Sequence, residues 1–356
     1  MSLKKLRKEI DNIDGHLIGL LNKRAEITKK IGTVKAARKA PVYVPDRETE
    51  IYRKIMASSP GPLSAESLKA VYREIMSGSL RLEKPVEIAY LGPAYTFTHL
   101  ASMHKFGSSV SYLGCETIKD VFLEVEKGKA DYGVVPIENS IDGAINYTLD
   151  MFMDSELKIC SEVFLEISHH LLSKERDKAR IKKLYSKAEV FAQCRIWLET
   201  NLPHIELIAV SSTAKAAEIA AKQKNAACIA SELAAKPYRL KILESAIQDS
   251  VHNVTRFLVI SRQDARPTRN DRTSLMFSVK DRVGALHDIL VPFKRYGISL
   301  TKIESRPSKA RAWEYYFFVD LQGHRLDSRV SRMLKELAKE AAYLKILGSY
   351  PVGEGV

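Results

Sequence analysis

The sequence predicts a multidomain protein in which an all-helical part is followed by an α/β part and then by a small α+β part. Three observations predict this order. Apolar residues recur at helical spacing over the first 84 residues. From Pro85, short apolar runs alternate with helical patterns, which is typical of α/β domains. A polar, proline-broken segment at 264–272 then precedes a strand–helix–strand–strand–helix–strand pattern.

The length of 356 residues, with 45% hydrophobic and 28% charged residues, predicts two or three globular domains with ample core. We expect domains at 1–84, 85–263 and 273–350, with 264–272 as a linker. The last domain has the βαββαβ order of a ferredoxin-like sandwich.

Three helices are predicted in the first part, at about 3–39, 46–57 and 64–82. Asp46 and Ser64 are the expected N-caps of the second and third helices. The first helix is long for a globular protein and carries an apolar stripe that two shorter helices cannot cover. We therefore expect the protein to form a homodimer or a higher homo-oligomer.

Two cations, Arg24 and Lys35, interrupt the apolar stripe of the first helix. They either extend to solvent or hold a small anion between them, because burying an unpaired charge is costly. Their spacing of about three turns, roughly 16 Å, suits a small dicarboxylate. Arg7 lies about 25 Å from Arg24 along the same helix, so it would serve a site on a second copy.

The other two helices offer further polar groups. Arg47 and Glu48 are adjacent on the second helix, and Ser79 and Glu83 form an i,i+4 pair on the third. Each alone is more simply a solvated side chain, but together with Arg24 and Lys35 they favour a site.

The bulk properties exclude several classes of protein. No apolar run approaches the length of a membrane span, and the N-terminal stretch MSLKKLRKEID lacks a signal-like apolar region. The four cysteines are widely spaced, so neither a disulfide framework nor a zinc site is expected, and a cytoplasmic location is the default. The net charge of +13 is spread along the chain without a basic tail, which favours small anionic substrates over nucleic acid.

Residues 1–84 resemble the all-helical chorismate mutase domain. The matching residues are Arg7 in LRKEID, Arg24 in LNKRAEI, Lys35 in IGTVKAAR, Arg47 and Glu48 in PDRETEI, and Ser79 and Glu83 near the end. The resemblance implies that the cations hold the two carboxylates of chorismate and that Glu48 binds its hydroxyl. A Claisen rearrangement then needs only a folded substrate and donors at the breaking ether oxygen, and Lys35 would be one of them.

Two positions depart from that family. Glu83 stands where some members have Gln, so it must be protonated to donate a hydrogen bond, and mutase activity should then fall as pH rises. Val44 stands where some relatives carry an acid.

The middle part resembles prephenate dehydratase, which implies two α/β lobes around a cleft, as in periplasmic binding proteins. The resemblance is carried by GPAYTFTH, PIENSIDGAINYTLD, YSKAEVFAQC, SST and NVTRF, in that order. It implies that Thr255 is the proton donor or its relay and that Arg256 is an anion contact. It places the following residues in the cleft: Thr96, Asn139, Ser140, Ser186, Gln193, Ser212 and Thr213. Tyr95 and Lys187 depart from the family pattern, and His169 is expected to be a core residue.

The last part resembles the ACT regulatory module. The motifs are GALH, which is Gly284, Ala285, Leu286 and His287, and ESRP, which is Glu304, Ser305, Arg306 and Pro307. In dehydratases of this kind the two motifs bind phenylalanine across a dimer interface, and free N–H groups at a helix start suit its carboxylate.

These resemblances imply a bifunctional enzyme that makes prephenate from chorismate and phenylpyruvate from prephenate, with phenylalanine as inhibitor. No cofactor, metal, nucleic acid or membrane partner is expected. Two alternatives stay open on the sequence: a dehydratase that prefers arogenate, and a non-catalytic sensor of phenylalanine.

Overall fold

The computed structural model of the chain describes residues 2–38, 40–250, 252–280, 282–308 and 315–353. None of the helices in these ranges is long and apolar enough to span a membrane. All four cysteines are free thiols in buried positions.

The first part is helical, with α1 (Leu3–Ala37), α2 (Pro45–Ser58) and α3 (Ala65–Glu83). Ser64 caps α3 as predicted, since its side chain accepts a hydrogen bond from the backbone N–H of Ser67. The N-cap of α2 is Val44, so the prediction of Asp46 was wrong. The cause is Pro45, whose fixed φ and missing N–H suit the first helical position. The predicted end of the first helix at Lys39 lies outside the described residues.

The apolar stripe of α1 is exposed in the single chain. Its large side chains are between 37% and 66% exposed and comprise Leu6, Ile10, Ile13, Leu17, Leu20 and Leu21. Only Thr28 and Gly32 of this helix are buried. A Cβ added to Gly32 would lie 2.9 Å from the Cα of Glu83, so this glycine allows the close approach of α1 and α3.

The middle part has two lobes. The first contains β1 (Glu87–Leu91), α4 (Phe97–Phe106), β2 (Ser111–Cys115), α5 (Ile118–Glu126), β3 (Tyr132–Asn139), β4 (Gly143–Ala144), α6 (Asn146–Asp154) and β5 (Lys158–Glu166). The second contains β6 (His170–Ser173), β7 (Lys183–Ser186), α7 (Ala188–Gln193), α8 (Arg195–Asn201), β8 (Glu206–Ala209), α9 (Thr213–Lys222), β9 (Ala226–Ala230) and β10 (Lys241–Glu244). Strand β11 (Val254–Ser261) returns to the first lobe.

Each lobe is built on one mixed sheet. The first has the order β2-β1-β3-β11-β5, with β4 paired to β3, and the second has the order β10-β6-β9-β7-β8. Because β11 lies antiparallel between β3 and β5, its first residues meet the carboxyl end of β3. Polar side chains at these strand ends therefore lie beside the junction between the lobes.

The last part is a ferredoxin-like sandwich of β12 (Asp271–Ser278), α10 (Ala285–Arg295), β13 (Leu300–Pro307), β14 (Tyr315–Gln322), α11 (Ser328–Glu340) and β15 (Tyr343–Pro351). Its antiparallel sheet has the order β13-β14-β12-β15. Strand β12 begins two residues inside the predicted linker, and the predicted start of the third strand at Trp313 and Glu314 lies outside the described residues. The multidomain fold class predicted from the sequence is confirmed.

Both flanking parts pack on the first lobe. The sheet face opposite α10 and α11 shares a buried apolar cluster with that lobe, in which Met276 and Tyr350 lie together with Ile159 and Leu258. On the other side, Tyr43 from the loop between α1 and α2 is only 5% exposed and belongs to a cluster with Phe106 and Tyr132.

Candidate functional site

A charged cluster lies between α1 and α3. Lys35 donates from Nζ to Glu83 Oε2 at 2.7 Å and to the carbonyl oxygen of Val42 at 2.7 Å. One turn of α3 earlier, Ser79 Oγ accepts a hydrogen bond from the guanidinium of Arg24. Arg24 and Lys35 are half-buried. The structure thus brings together two cations and two polar partners that the sequence predicted for one site.

Glu48, on the first turn of α2, is connected to this cluster through the loop before α2, in which Val42 accepts from Lys35 and Tyr43 donates to Glu48. Its Oε2 accepts hydrogen bonds from the Tyr43 hydroxyl and from Lys105 Nζ, both at 2.7 Å. Burial raises the pKa of Tyr43 well above its usual value, and the charge of Glu48 raises it further, so the hydroxyl stays protonated and donates. Lys105 belongs to α4 in the first lobe, and nothing in the sequence had pointed to it.

Arg7 and Arg47 lie apart from the cluster in the single chain. Arg47 is 57% exposed and pairs with Glu50 on its own helix at 2.5 Å. Arg7 is exposed on the amino-terminal part of α1, 17 residues before Arg24.

A second polar cluster surrounds Thr255 at the start of β11. Thr255 is 8% exposed, and its Oγ1 accepts a hydrogen bond from Asn139 Nδ2 at 2.8 Å. The backbone N–H groups of Ile141 and Asp142 donate to Asn139 Oδ1 at 2.8 Å and 3.0 Å. These two bonds fix the amide so that its N–H faces Thr255, which leaves the hydroxyl proton of Thr255 available for donation.

The cluster continues into the second lobe through Gln193. Its Oε1 accepts from Asn253 Nδ2 at 3.1 Å and from His169 Nε2 at 2.8 Å, while its Nε2 donates to Asp142 at 2.9 Å. Burial lowers the pKa of His169, so the neutral ring serves as donor to Gln193.

Sequence reasoning missed Asn253, Asp142 and this role of His169. The signal for Asn253 was its place two residues before Thr255, because alternate residues of a strand share a face.

Arg256 does not enter the cleft, which corrects the expectation of an anion contact there. It follows Thr255 in the strand, so its side chain leaves the opposite face of the sheet. Its guanidinium donates to Glu162 at 2.8 Å, to Asp320 at 2.5 Å and to the Tyr350 hydroxyl at 2.9 Å. Asp320 and Tyr350 belong to the ferredoxin-like part, so Arg256 connects that part to the first lobe.

Ser186 also departs from the expected role. It is fully buried and donates to the carbonyl oxygen of Ile229 inside the second lobe, so it does not line an open cleft. Ser140, which follows β3, connects the end of that strand to the start of β11. Its hydroxyl donates to the His252 carbonyl oxygen and accepts from the Val254 N–H.

The remaining predicted cleft residues lie at helix starts. Thr96 caps α4 and Ser212 caps α9, and Thr213 is the buried first residue of α9. Tyr95, just before α4, has a φ of +71°, a backbone conformation that favours glycine. Lys187 is the N-cap of α7 and pairs with Glu189 at 3.4 Å.

The two predicted effector motifs lie at the same end of one sheet. Ser278 at the end of β12 is in register with Tyr316 of β14, which in turn faces Arg306 of β13. The end of β12, which leads into the motif Gly284–His287, is thus two strands, or about 10 Å, from the motif Glu304–Pro307 in β13. Gly284 has a φ of +79° as the N-cap of α10, and His287, three residues later, has a side chain that is 81% exposed. Arg306 pairs with Asp150 of the first lobe at 3.1 Å.

Comparisons with known proteins match these parts one by one. Residues 6–84 match chorismate mutase type II, residues 88–265 match prephenate dehydratase, and residues 273–339 match the ACT domain. The chain is 52% identical over 98% of its length to a bifunctional chorismate mutase/prephenate dehydratase of Aquifex aeolicus, of which it covers 98%.

The chain belongs to the bifunctional chorismate mutase/prephenate dehydratase family.

A member of this family from Pseudomonas aeruginosa is 44% identical over 98% of the chain and 97% of the relative. Among solved structures, the prephenate dehydratase of Arthrobacter aurescens, in complex with L-Phe, superposes with a TM-score of 0.70 at 33% identity and covers 75% of this chain and 90% of that one. The resemblances predicted from the sequence are therefore confirmed for all three parts.

Proposed function

We propose that this protein is a bifunctional enzyme of phenylalanine biosynthesis. The helical part rearranges chorismate to prephenate, the two-lobed part converts prephenate to phenylpyruvate, and phenylalanine binds the ACT part as inhibitor. The domain limits we propose are 1–84, 85–263 and 273–350. The observation that carries the proposal is that each of the two domains matched to an enzyme holds one polar cluster: Lys35 and Arg24 in the first, Thr255 and Asn139 in the second.

The mutase site needs no nucleophile. Chorismate rearranges within one molecule, so the protein has to fold the substrate and stabilise charge on the breaking ether oxygen. Lys35 would donate to that oxygen, Arg24 would hold a carboxylate, and Glu48 would accept from the substrate hydroxyl. Ser79 supports Arg24, whose guanidinium it already contacts.

The dehydratase site has to protonate a leaving hydroxyl. Thr255 would give its proton to that hydroxyl, which leaves as water, while the ring carboxylate leaves as carbon dioxide. The electron pair of the broken carbon–carbon bond then enters the ring, which becomes aromatic. The N–H of Asn139, at 2.8 Å from Oγ1, stabilises the negative charge that Thr255 acquires as its proton leaves.

Separate assays on two variants test the assignment. We expect Thr255→Ala to lower dehydratase kcat by about 10²- to 10⁴-fold while mutase activity stays unchanged, because only the proton donor is lost. Lys35→Ala should lower mutase activity and leave dehydratase activity unchanged. Thr255→Ser, which keeps a hydroxyl, is the matched control and should retain much of the activity. Full dehydratase activity in Thr255→Ala would contradict the role of Thr255.

We further propose that the protein is a homodimer whose copies meet along α1. The exposed apolar side chains of this helix would then be covered, and Arg7 would reach the mutase site of the second copy. We also infer a cytoplasmic location, because a biosynthetic enzyme with four free thiols suits a reducing compartment.

Mixing two inactive variants tests the shared site. Arg7→Ala and Lys35→Ala should each lack mutase activity, whereas their coexpression should restore about a quarter of the sites, since a mixed dimer has one site without either substitution. Light scattering measures the mass of the protein in solution and so shows whether it is a dimer. A monomeric enzyme with full mutase activity, or a mixture with none, would rule out the shared site.

A further inference from the structure

The carboxylate of Glu48 is held by a lysine from another domain. Lys105 Nζ and the Tyr43 hydroxyl both donate to Oε2 at 2.7 Å, and neither of these donors uses Oε1. The ion pair is well protected from water, because the side chains of Lys105 and Glu48 are 19% and 11% exposed. Such a charge-assisted pair resists screening far more than a surface pair does.

The loop before α2 fixes the geometry of this pair. The ring of Tyr43 packs edge-on against Phe106 and Tyr132, with centroids 5.0 Å and 5.2 Å away. The Tyr132 hydroxyl also donates to the backbone carbonyl of Tyr43 at 3.1 Å. Phe106 is the residue after Lys105 on α4. The first turn of α2, which carries Glu48, is therefore anchored to the same helix that supplies the lysine.

We propose that Lys105, a residue of the dehydratase domain, is a positioning residue for the mutase reaction. It turns Oε1 of Glu48 toward the substrate hydroxyl and balances a negative charge beside a substrate that carries two carboxylates. The proposal rests on the role of Glu48 in chorismate binding proposed above.

The effect belongs mainly to substrate binding. In the proposed mechanism Lys35 donates to the ether oxygen that breaks, so removing Lys105 leaves the donor of the chemical step in place. Without Lys105 the carboxylate of Glu48 repels the approaching dianion and loses one of the donors that orient it. A loss of this kind raises KM and leaves kcat nearly unchanged.

Steady-state kinetics on the full-length Lys105→Met variant tests this. We expect the KM for chorismate to rise about tenfold, with kcat within about threefold of the wild type. Dehydratase activity, measured with prephenate on the same preparation, should be unchanged. Lys105→Arg keeps the charge and should restore most of the affinity.

The chain offers a matched control at the same domain boundary. Lys84 at the end of the helical part pairs with Asp131 of the first lobe at 2.8 Å, and Lys84 is 58% exposed. Lys84→Met removes an interdomain ion pair without touching Glu48, so the KM for chorismate should stay at the wild-type value.

In a Glu48→Gln background, the further change Lys105→Met should have little additional effect, because the two residues act as one unit.

Two results would overturn the inference: an unchanged KM for chorismate in Lys105→Met, or an equal fall of mutase and dehydratase activity, which would mean that Lys105 only supports the fold. Absence of mutase activity in the wild-type protein would instead refute the proposed function itself.

Discussion

Glu83 is the residue of the mutase cluster whose charge matters most. Its Oε2 accepts from Lys35 Nζ at 2.7 Å, and its side chain is 10% exposed. In this ion pair the carboxylate is an acceptor, whereas a donor to the substrate ether oxygen would need the protonated acid.

The pH dependence of the mutase reaction follows from this. A donor at this position must carry a proton, so we expect mutase kcat to fall as pH rises. Glu83→Gln carries a permanent N–H donor and should give a flat profile over the same range. The measurement is kcat against pH for both proteins, and a flat wild-type profile would remove this role of Glu83.

Thr255 and Arg256 show which features of single site residues could be predicted from the sequence. The NVTRF motif identified both, and the motif as a whole does lie at the cleft. Strand alternation, however, sends the two side chains to opposite faces. Which face meets the cleft depends on the partner that covers the other one. Here that partner is the ferredoxin-like sheet, which no local pattern reveals.

Among the elements, α1 and α3 can approach each other closely because α1 has a glycine at the contact. Gly32 has the backbone of Glu83 against it, with the Cα 2.9 Å from an added Cβ. This close approach lets Lys35, one turn later, reach Glu83. The interface between the two helices therefore sets the distances within the mutase cluster.

Gly32→Ala should separate α1 from α3. The added methyl group gains helix propensity but meets backbone that cannot move aside, so we expect a net destabilisation of about 1–2 kcal/mol and a lower mutase kcat/KM. Gly78→Ala on α3 is the control, because its Cβ would meet only Ser109 Oγ at 4.0 Å, and it should be neutral or stabilising. Thermal unfolding compares the two, and a stabilised Gly32→Ala would contradict the packing argument.

The helices and strands were largely predictable from their periodicity and turn residues. The start of α2 was not, because Asp46 looks like an N-cap while Pro45 before it already satisfies the first helical position. The predicted end of the linker at residue 272 also differs from the structure, because β12 begins at Asp271. Asp271 and Arg272 are charged, but they pair with β15 and extend β12 into a segment that composition alone marks as polar.

At the scale of the whole molecule, buried ion pairs join the dehydratase part to the ACT part. Arg256 bridges Glu162 of the first lobe and Asp320 of β14, and all three side chains are at most 9% exposed. Arg272 supplies a second cation to Glu162 at 2.6 Å. Removal of Arg256 would leave Asp320 without this cation in a buried place.

Arg256→Ala should therefore be strongly destabilising. We expect a loss of about 3–5 kcal/mol in the free energy of unfolding, because one partner of a buried pair is left behind. Arg295→Ala breaks an exposed pair with Glu336 and should cost no more than about 1 kcal/mol. Denaturant unfolding measures both, and equal effects would show that the buried network adds nothing specific.

The contacts between parts were beyond prediction from the sequence. Lys105 and Glu48 are 57 residues apart, and Arg256 and Asp320 are 64 apart. Each residue alone is an ordinary charge in an ordinary helix or strand. Their partners are decided by how whole domains dock, which depends on the summed shape and apolar area of two surfaces.

The anchoring of Tyr43 has a consequence for synthesis on the ribosome. Tyr132, which bonds the backbone of Tyr43, is translated 89 residues later. At translation rates of about 5–20 residues per second, this is a delay of roughly 5 to 20 s. Throughout that interval the nascent helices lack the anchor that holds Glu48 beside Lys105, so the first reaction centre of the chain is finished only after the beginning of the dehydratase part has been made.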